Sequence, residues 1–121
     1  MGTQVYFNPS CSKCRTVQGI LAEQGVDAEY VRYLDQAPTR QALVEVMGLL
    51  GIDDPRHMMR TGEAVYTELG LASAGPGELL DAMVANPILI ERPIVVHDGR
   101  AVIARPAEKV LDLFPGPAAA G

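Results

Sequence analysis

The two cysteines of this chain, Cys11 and Cys14, lie in Asn8-Pro9-Ser10-Cys11-Ser12-Lys13-Cys14-Arg15, which follows the short apolar run Gln4-Val5-Tyr6-Phe7 and opens a helical pattern. That order puts both thiols at a helix N-terminus. Unpaired backbone N–H groups and the positive end of the helix dipole favour negative charge there, so Cys11 is expected to ionise near neutral pH. A thiolate is a nucleophile, and the same N–H groups can hold an oxyanion beside it. The Cys-x-x-Cys spacing also sets the side chains one turn apart, close enough for a disulfide to close. Cys14, on the inner face of the first turn, reads either as a resolving thiol or as a packed one.

Three arginines stand at element boundaries: Arg60 after Met58-Met59, Arg92 before Pro93, and Arg105 before Pro106. A guanidinium presents a planar fork of donors that suits tetrahedral oxyanions. Taken together, the three predict a site for one small anion beside the thiol. His57 and His97 are the only histidines. They lie far apart with no zinc-type spacing, so both read as surface residues and no metal site is expected.

The elements that must position these groups can be read from periodicity. Gln4–Phe7 predicts a first strand, and Val17, Ile20 and Leu21 a helix that runs from Cys11 to Gly25. Glu29–Tyr33 predicts a second strand, parallel to the first across the intervening helix. Thr39 as N-cap, then Leu43, Val46, Met47 and Leu50 before Gly51, predict the next helix. Short helical segments follow at 55–59, Glu63–Leu69 and Gly77–Ala85. Pro93–His97, Asp98-Gly99 and Arg100–Ile103 form a hairpin pattern, and a last helix opens at Pro106 with Val110, Leu111 and Phe114. This order predicts a thioredoxin-like α/β fold: a mixed four-stranded sheet with a helical insertion between strands 2 and 3, and a cis-proline at Arg92-Pro93 beside the thiol loop.

At 121 residues, 48% hydrophobic and 21% charged, the chain fits one globular domain, with 115–121 as a fraying tail. A net charge of −5 and six aromatic residues argue against nucleic-acid binding. There is no apolar run of membrane length. The start, Met1-Gly2-Thr3-Gln4, has neither a basic segment nor an apolar signal core, so a cytoplasmic, reducing location is expected.

Tyr6-Phe7-Asn8-Pro9-Ser10-Cys11, Arg60 in Met-Met-Arg-Thr-Gly-Glu, Pro87–Val96 with its Arg92-Pro93, and Ala104-Arg105-Pro106 closely resemble the glutaredoxin-coupled arsenate reductases. The likeness runs from about Gln4 to Phe114. It implies that Cys11 is the nucleophile, that Arg60, Arg92 and Arg105 bind and orient arsenate and arsenite, and that Asn8, Ser12 and Arg15 shape the anion loop. It also implies a thiol–arsenate adduct on Cys11, and glutathione or another low-molecular-weight thiol as co-substrate. A glutaredoxin-like partner would reset the enzyme, with no bound metal or organic cofactor and a monomeric protein. Cys14 stands where well-known members carry a hydroxyl residue, which would open a thioredoxin-like route through a Cys11–Cys14 disulfide. Glu91 stands where many relatives have Asn, and its carboxylate would compete for Arg92.

Two other readings share the fold. One is a redox-sensing transcriptional regulator of the Spx type that binds RNA polymerase, and the other a general thiol-disulfide oxidoreductase. Neither needs three anion-binding arginines around its thiols, so the arginine set favours the reductase.

Overall fold

The structure, a computed structural model, describes residues 2–114, so the predicted tail at 115–121 lies outside the described residues. The chain divides into two compact units, one made of residues up to Arg32 together with those from Arg92 onward, the other of Tyr33–Glu91.

The first unit is built on four strands, β1 (Thr3–Phe7), β2 (Ala28–Arg32), β3 (Ile94–His97) and β4 (Arg100–Ile103), in the order β2-β1-β3-β4. β1 runs parallel to β2, with Phe7 opposite Arg32, and antiparallel to β3, with Val5 opposite Val95. β3 and β4 are antiparallel with Val95 opposite Val102. This is the mixed sheet expected from the sequence. Asp98 and Gly99 both take positive φ, 49° and 77°, as the two-residue turn of a right-twisted hairpin requires. Helix α1 (Ser12–Glu23) is the β1–β2 crossover. Its Cys14, Val17 and Leu21 recur on one face and pack with Val5, Phe7, Val95 and Ala104 of the sheet side. Each fully buried aliphatic in this layer contributes about 1.5–3 kcal/mol.

Two details depart from expectation. The segment after Pro106 is a 3-10 helix, Ala107–Leu113, and Leu111 is exposed. Its buried residues, Ala107, Val110 and Leu113, are spaced by three, the period of a 3-10 turn, so this winding keeps all three in the core and turns Leu111 out. Besides the expected cis peptide at Arg92-Pro93, Arg105-Pro106 is also cis.

The second unit holds α2 (Arg40–Leu50), α3 (Ala64–Glu68) and α4 (Pro76–Ala85), with α2 and α4 in contact. Thr39 caps α2 by accepting the Ala42 N–H at 3.1 Å, and Gly51 ends it in the left-handed region. α4 starts one residue before the predicted Gly77, with Pro76 in the first turn where its missing N–H costs nothing. Met59 and Ile90 form a short antiparallel bridge, in which Arg60 N–H donates to Leu89 O at 2.7 Å and Glu91 N–H to Met58 O at 2.9 Å. The backbone of Arg60 is thereby tied to the Leu89–Glu91 segment of the same unit.

Candidate active site

Cys11 is the N-cap residue of α1, with extended backbone at φ −91° and ψ 123°. The loop before it is closed by its own hydrogen bonds: Cys11 N–H donates to Asn8 O at 2.9 Å, and Ser10 N–H to Asn8 Oδ1 at 3.0 Å. An Asx turn of this kind fixes the path from β1 into the helix. Arg15 N–H then closes the first helical turn on Cys11 O at 3.1 Å. The Cys11 thiol makes no formed cap hydrogen bond but sits where the first-turn N–H groups point.

Burial pushes the Cys11 thiol up, and four groups act against it: the Cys14 N–H, the Cys14 side chain, the Lys13 N–H and the charge of Arg92. The donors win, and its pKa lies below the ordinary thiol value. Cys14 goes the other way. Burial raises it, the Asn8 N–H at 3.5 Å from its sulfur lowers it, and the charge and hydrogen bond of Cys11 raise it again, to about 11. The two thiols therefore shift apart, Cys11 the more readily ionised and Cys14 the S–H that donates to it. Cys14 has no solvent exposure and Cys11 only 8%, and both are free thiols.

Arg92 has Nε and Nη1 buried, and its charge reaches both sulfurs. Arg105 is brought to it: Arg105 Nη1 donates to Arg92 O at 3.0 Å. Cys11, Cys14, Asn8 and Arg92 thus meet at one end of the sheet, where β1 ends and β3 begins, and Arg105 is held to this end by the Arg92 carbonyl. A nucleophilic sulfur beside backbone donors and a guanidinium can attack an oxyanion whose charge those groups neutralise.

The ArsC family profile matches residues 6–113, nearly all of the described chain. The chain belongs to the ArsC family. It is 44% identical over 112 residues to the uncharacterised protein YfgD of Escherichia coli (strain K12), covering 91% of this chain and 94% of that one. It is 39% identical over 109 residues to an arsenate reductase of Neisseria meningitidis serogroup A, covering 88% and 93% respectively. The solved structure of an arsenate reductase from Vibrio cholerae superposes with a TM-score of 0.90 at 39% identity, over 93% of this chain and 98% of that one. The thioredoxin-like α/β fold expected from the sequence is therefore the fold of this ArsC member.

The remaining residues that the resemblance singled out are placed differently. Ser12 and Arg15 lie exposed on the first turn of α1, where Ser12 O accepts the Thr16 hydroxyl at 3.0 Å. Arg60 belongs to the second unit, and its Nη1 forms an ion pair with Glu63 Oε2 at 2.7 Å. Sequence reading passed over Glu63, although the i,i+3 spacing from Arg60 was a usable signal. His57 is exposed as expected, but His97 is half-buried, with Nδ1 2.8 Å from Thr3 Oγ1 and its ring against Phe114. Among the described residues no helix is long and apolar enough to cross a membrane.

Proposed function

We propose that this ArsC-family chain is an arsenate reductase that works through Cys11. The observation that carries the reading is the N-cap position of Cys11, where the first-turn N–H groups, the Cys14 side chain and Arg92 outweigh burial and favour the thiolate. The thiolate attacks arsenic(V), a new sulfur–arsenic bond forms, and an arsenate hydroxyl takes a proton and leaves as water. Arsenic is still pentavalent in this adduct. A second thiol then bonds to the Cys11 sulfur, the sulfur–arsenic bond breaks with its electron pair on arsenic, and arsenite departs. Two thiols have been oxidised to one disulfide, and arsenic has gained two electrons.

Arg92 and Arg105 neutralise the anion in this scheme, with Asn8, Ser12 and Arg15 shaping the loop around it. Arg60, by the resemblance, adds a third guanidinium. We assign the second thiol to a small molecule of the glutathione type, with a glutaredoxin-like protein to clear the mixed disulfide. Cys14 supports that choice because burial, the largest cause that raises its pKa, persists when Cys11 carries arsenic and leaves this thiol a poor attacking group.

The test is arsenite production from arsenate by the purified protein, with glutathione and glutaredoxin in one arm and thioredoxin and its reductase in the other. Turnover in the first arm that survives Cys14→Ser but not Cys11→Ser is the expected result. Turnover confined to the thioredoxin arm and lost in Cys14→Ser would make Cys14 the resolving thiol. No arsenite in either arm, with Cys11 still reactive, would end the reductase reading.

A further inference from the structure

Arg60 and Glu63 form a pair of which the chemistry above uses only the arginine. Their charged atoms are 2.7 Å apart, and the side chains are only 28% and 24% exposed. The geometry is held by backbone: Arg60 N–H is fixed on Leu89 O at 2.7 Å, and Glu63 N–H closes the turn on Arg60 O at 3.1 Å. Glu63 is also the residue that precedes α3, yet its carboxylate does not cap that helix. Its oxygen is held on the guanidinium instead. Only Nη1 of Arg60 is engaged, so among the described residues Nε and Nη2 remain open donors.

We infer that Glu63 is a built-in counter-anion of Arg60, one that occupies part of the guanidinium in the resting protein and limits how tightly this arginine takes an oxyanion. The inference rests on the reading of Arg60 as an oxyanion-binding residue. A carboxylate at this distance does two things to an incoming dianion. It holds one of the donors that would otherwise turn to the ligand, and it repels the ligand's charge in a partly desolvated place where screening is weak. Removal of its charge while its shape is kept should therefore tighten anion binding. A carboxylate that served only to hold Arg60 in position would have the opposite effect, because its loss would let the arginine drift. Glu63 is in this sense an affinity-setting residue and not a catalytic one.

The measurement is protection of Cys11 from iodoacetamide by inorganic arsenate, which reads binding without any reductant. In Glu63→Gln the half-protecting concentration should fall about fivefold, the size expected for one partly exposed ion pair. In Arg60→Ala it should rise, and adding Glu63→Gln to Arg60→Ala should lower it again, since the carboxylate's repulsion is then left uncompensated although no donor is masked. If Arg60→Ala weakens protection but Glu63→Gln leaves it unchanged or weakens it too, the counter-anion role is overturned while Arg60 keeps its place. If Arg60→Ala protects like the wild type, the assignment of Arg60 fails and takes this inference with it.

Discussion

The Asn8–Arg15 loop and the Arg60–Glu63 turn each hold a charged group at the start of a helix, and they treat it in opposite ways. In the first, the sulfur of Cys11 meets two N–H groups and the S–H of Cys14 and feels the charge of Arg92. In the second, the guanidinium of Arg60 meets a carboxylate at 2.7 Å. A thiolate without a bonded counter-ion stays available to attack, whereas a matched ion pair is quiet until something displaces it. The comparison separates a group kept reactive from one kept neutral. The change that should break it most completely is Cys11→Ser, which removes the thiolate and leaves the donors in place. Arsenite formation should drop to the buffer background, and any remaining turnover would move the nucleophile elsewhere.

The next largest effect is expected from Arg92→Ala. Its charge acts on both sulfurs, and Arg105 is anchored on its carbonyl, which the substitution leaves intact. Loss of one donor aimed at developing charge costs about a hundredfold in rate in comparable oxyanion sites, and kcat/KM for arsenate should fall on that scale. Cys14→Ala sharpens the same side of the comparison by a subtler route. Cys11 titrates below the ordinary thiol value partly because Cys14 donates to it, so without that donor the alkylation midpoint of Cys11 should move to higher pH. Reaction with iodoacetamide at neutral pH should slow, while the alkaline plateau, where Cys11 is fully ionised in both proteins, stays the same. An unmoved midpoint would mean that the backbone N–H groups and Arg92 suffice.

These two regions differ in how far the sequence disclosed them. The Cys11 loop was readable because its logic is local: a short apolar strand, a Pro-Ser punctuated turn and helical spacing from Val17 to Leu21 place the thiol on the first turn whatever the rest does. The Asp98-Gly99 hairpin was readable for the same reason, since one turn type demands those residues. The opposite pKa shifts of Cys11 and Cys14 were only half visible. Spacing put them one turn apart, but complete burial of the second is a property of the core that Val5, Val17 and Val110 close around it. The carboxylate that meets Arg60 is Glu63, three residues on. Residues at i,i+3 across a turn face each other, so spacing alone could have drawn attention to that pair.

Arg56 shows the same limit in the second unit. Its Nη2 donates to Leu71 O and Ala74 O, both at 2.8 Å, and to Ala72 O at 3.1 Å, while Nε donates to Tyr66 Oη at 3.0 Å. No spacing rule announces such a clamp, because its acceptors lie 10 to 18 residues away and converge only after the chain has turned. Arg56→Ala leaves those carbonyls without this donor. The Tm should fall clearly, and the alkylation midpoint of Cys11, which depends on first-unit groups, should not move.

The smallest effect expected is that of Thr39→Ala, and it tests whether the two regions are energetically separable. Thr39 accepts one N–H, that of Ala42, at the start of α2, and has no part in the thiol chemistry. Loss of such a cap costs about 1 kcal/mol, which lowers Tm by about 4 °C in a domain of this size. If the second unit serves only as a frame for Arg60, that loss should leave the pH midpoint of Cys11 unchanged and arsenate protection within error of the wild type. A shift in the midpoint would show that strain at α2 reaches the donors around the sulfur. The local account of the thiolate, built from Cys14, Lys13 and Arg92, would then be incomplete.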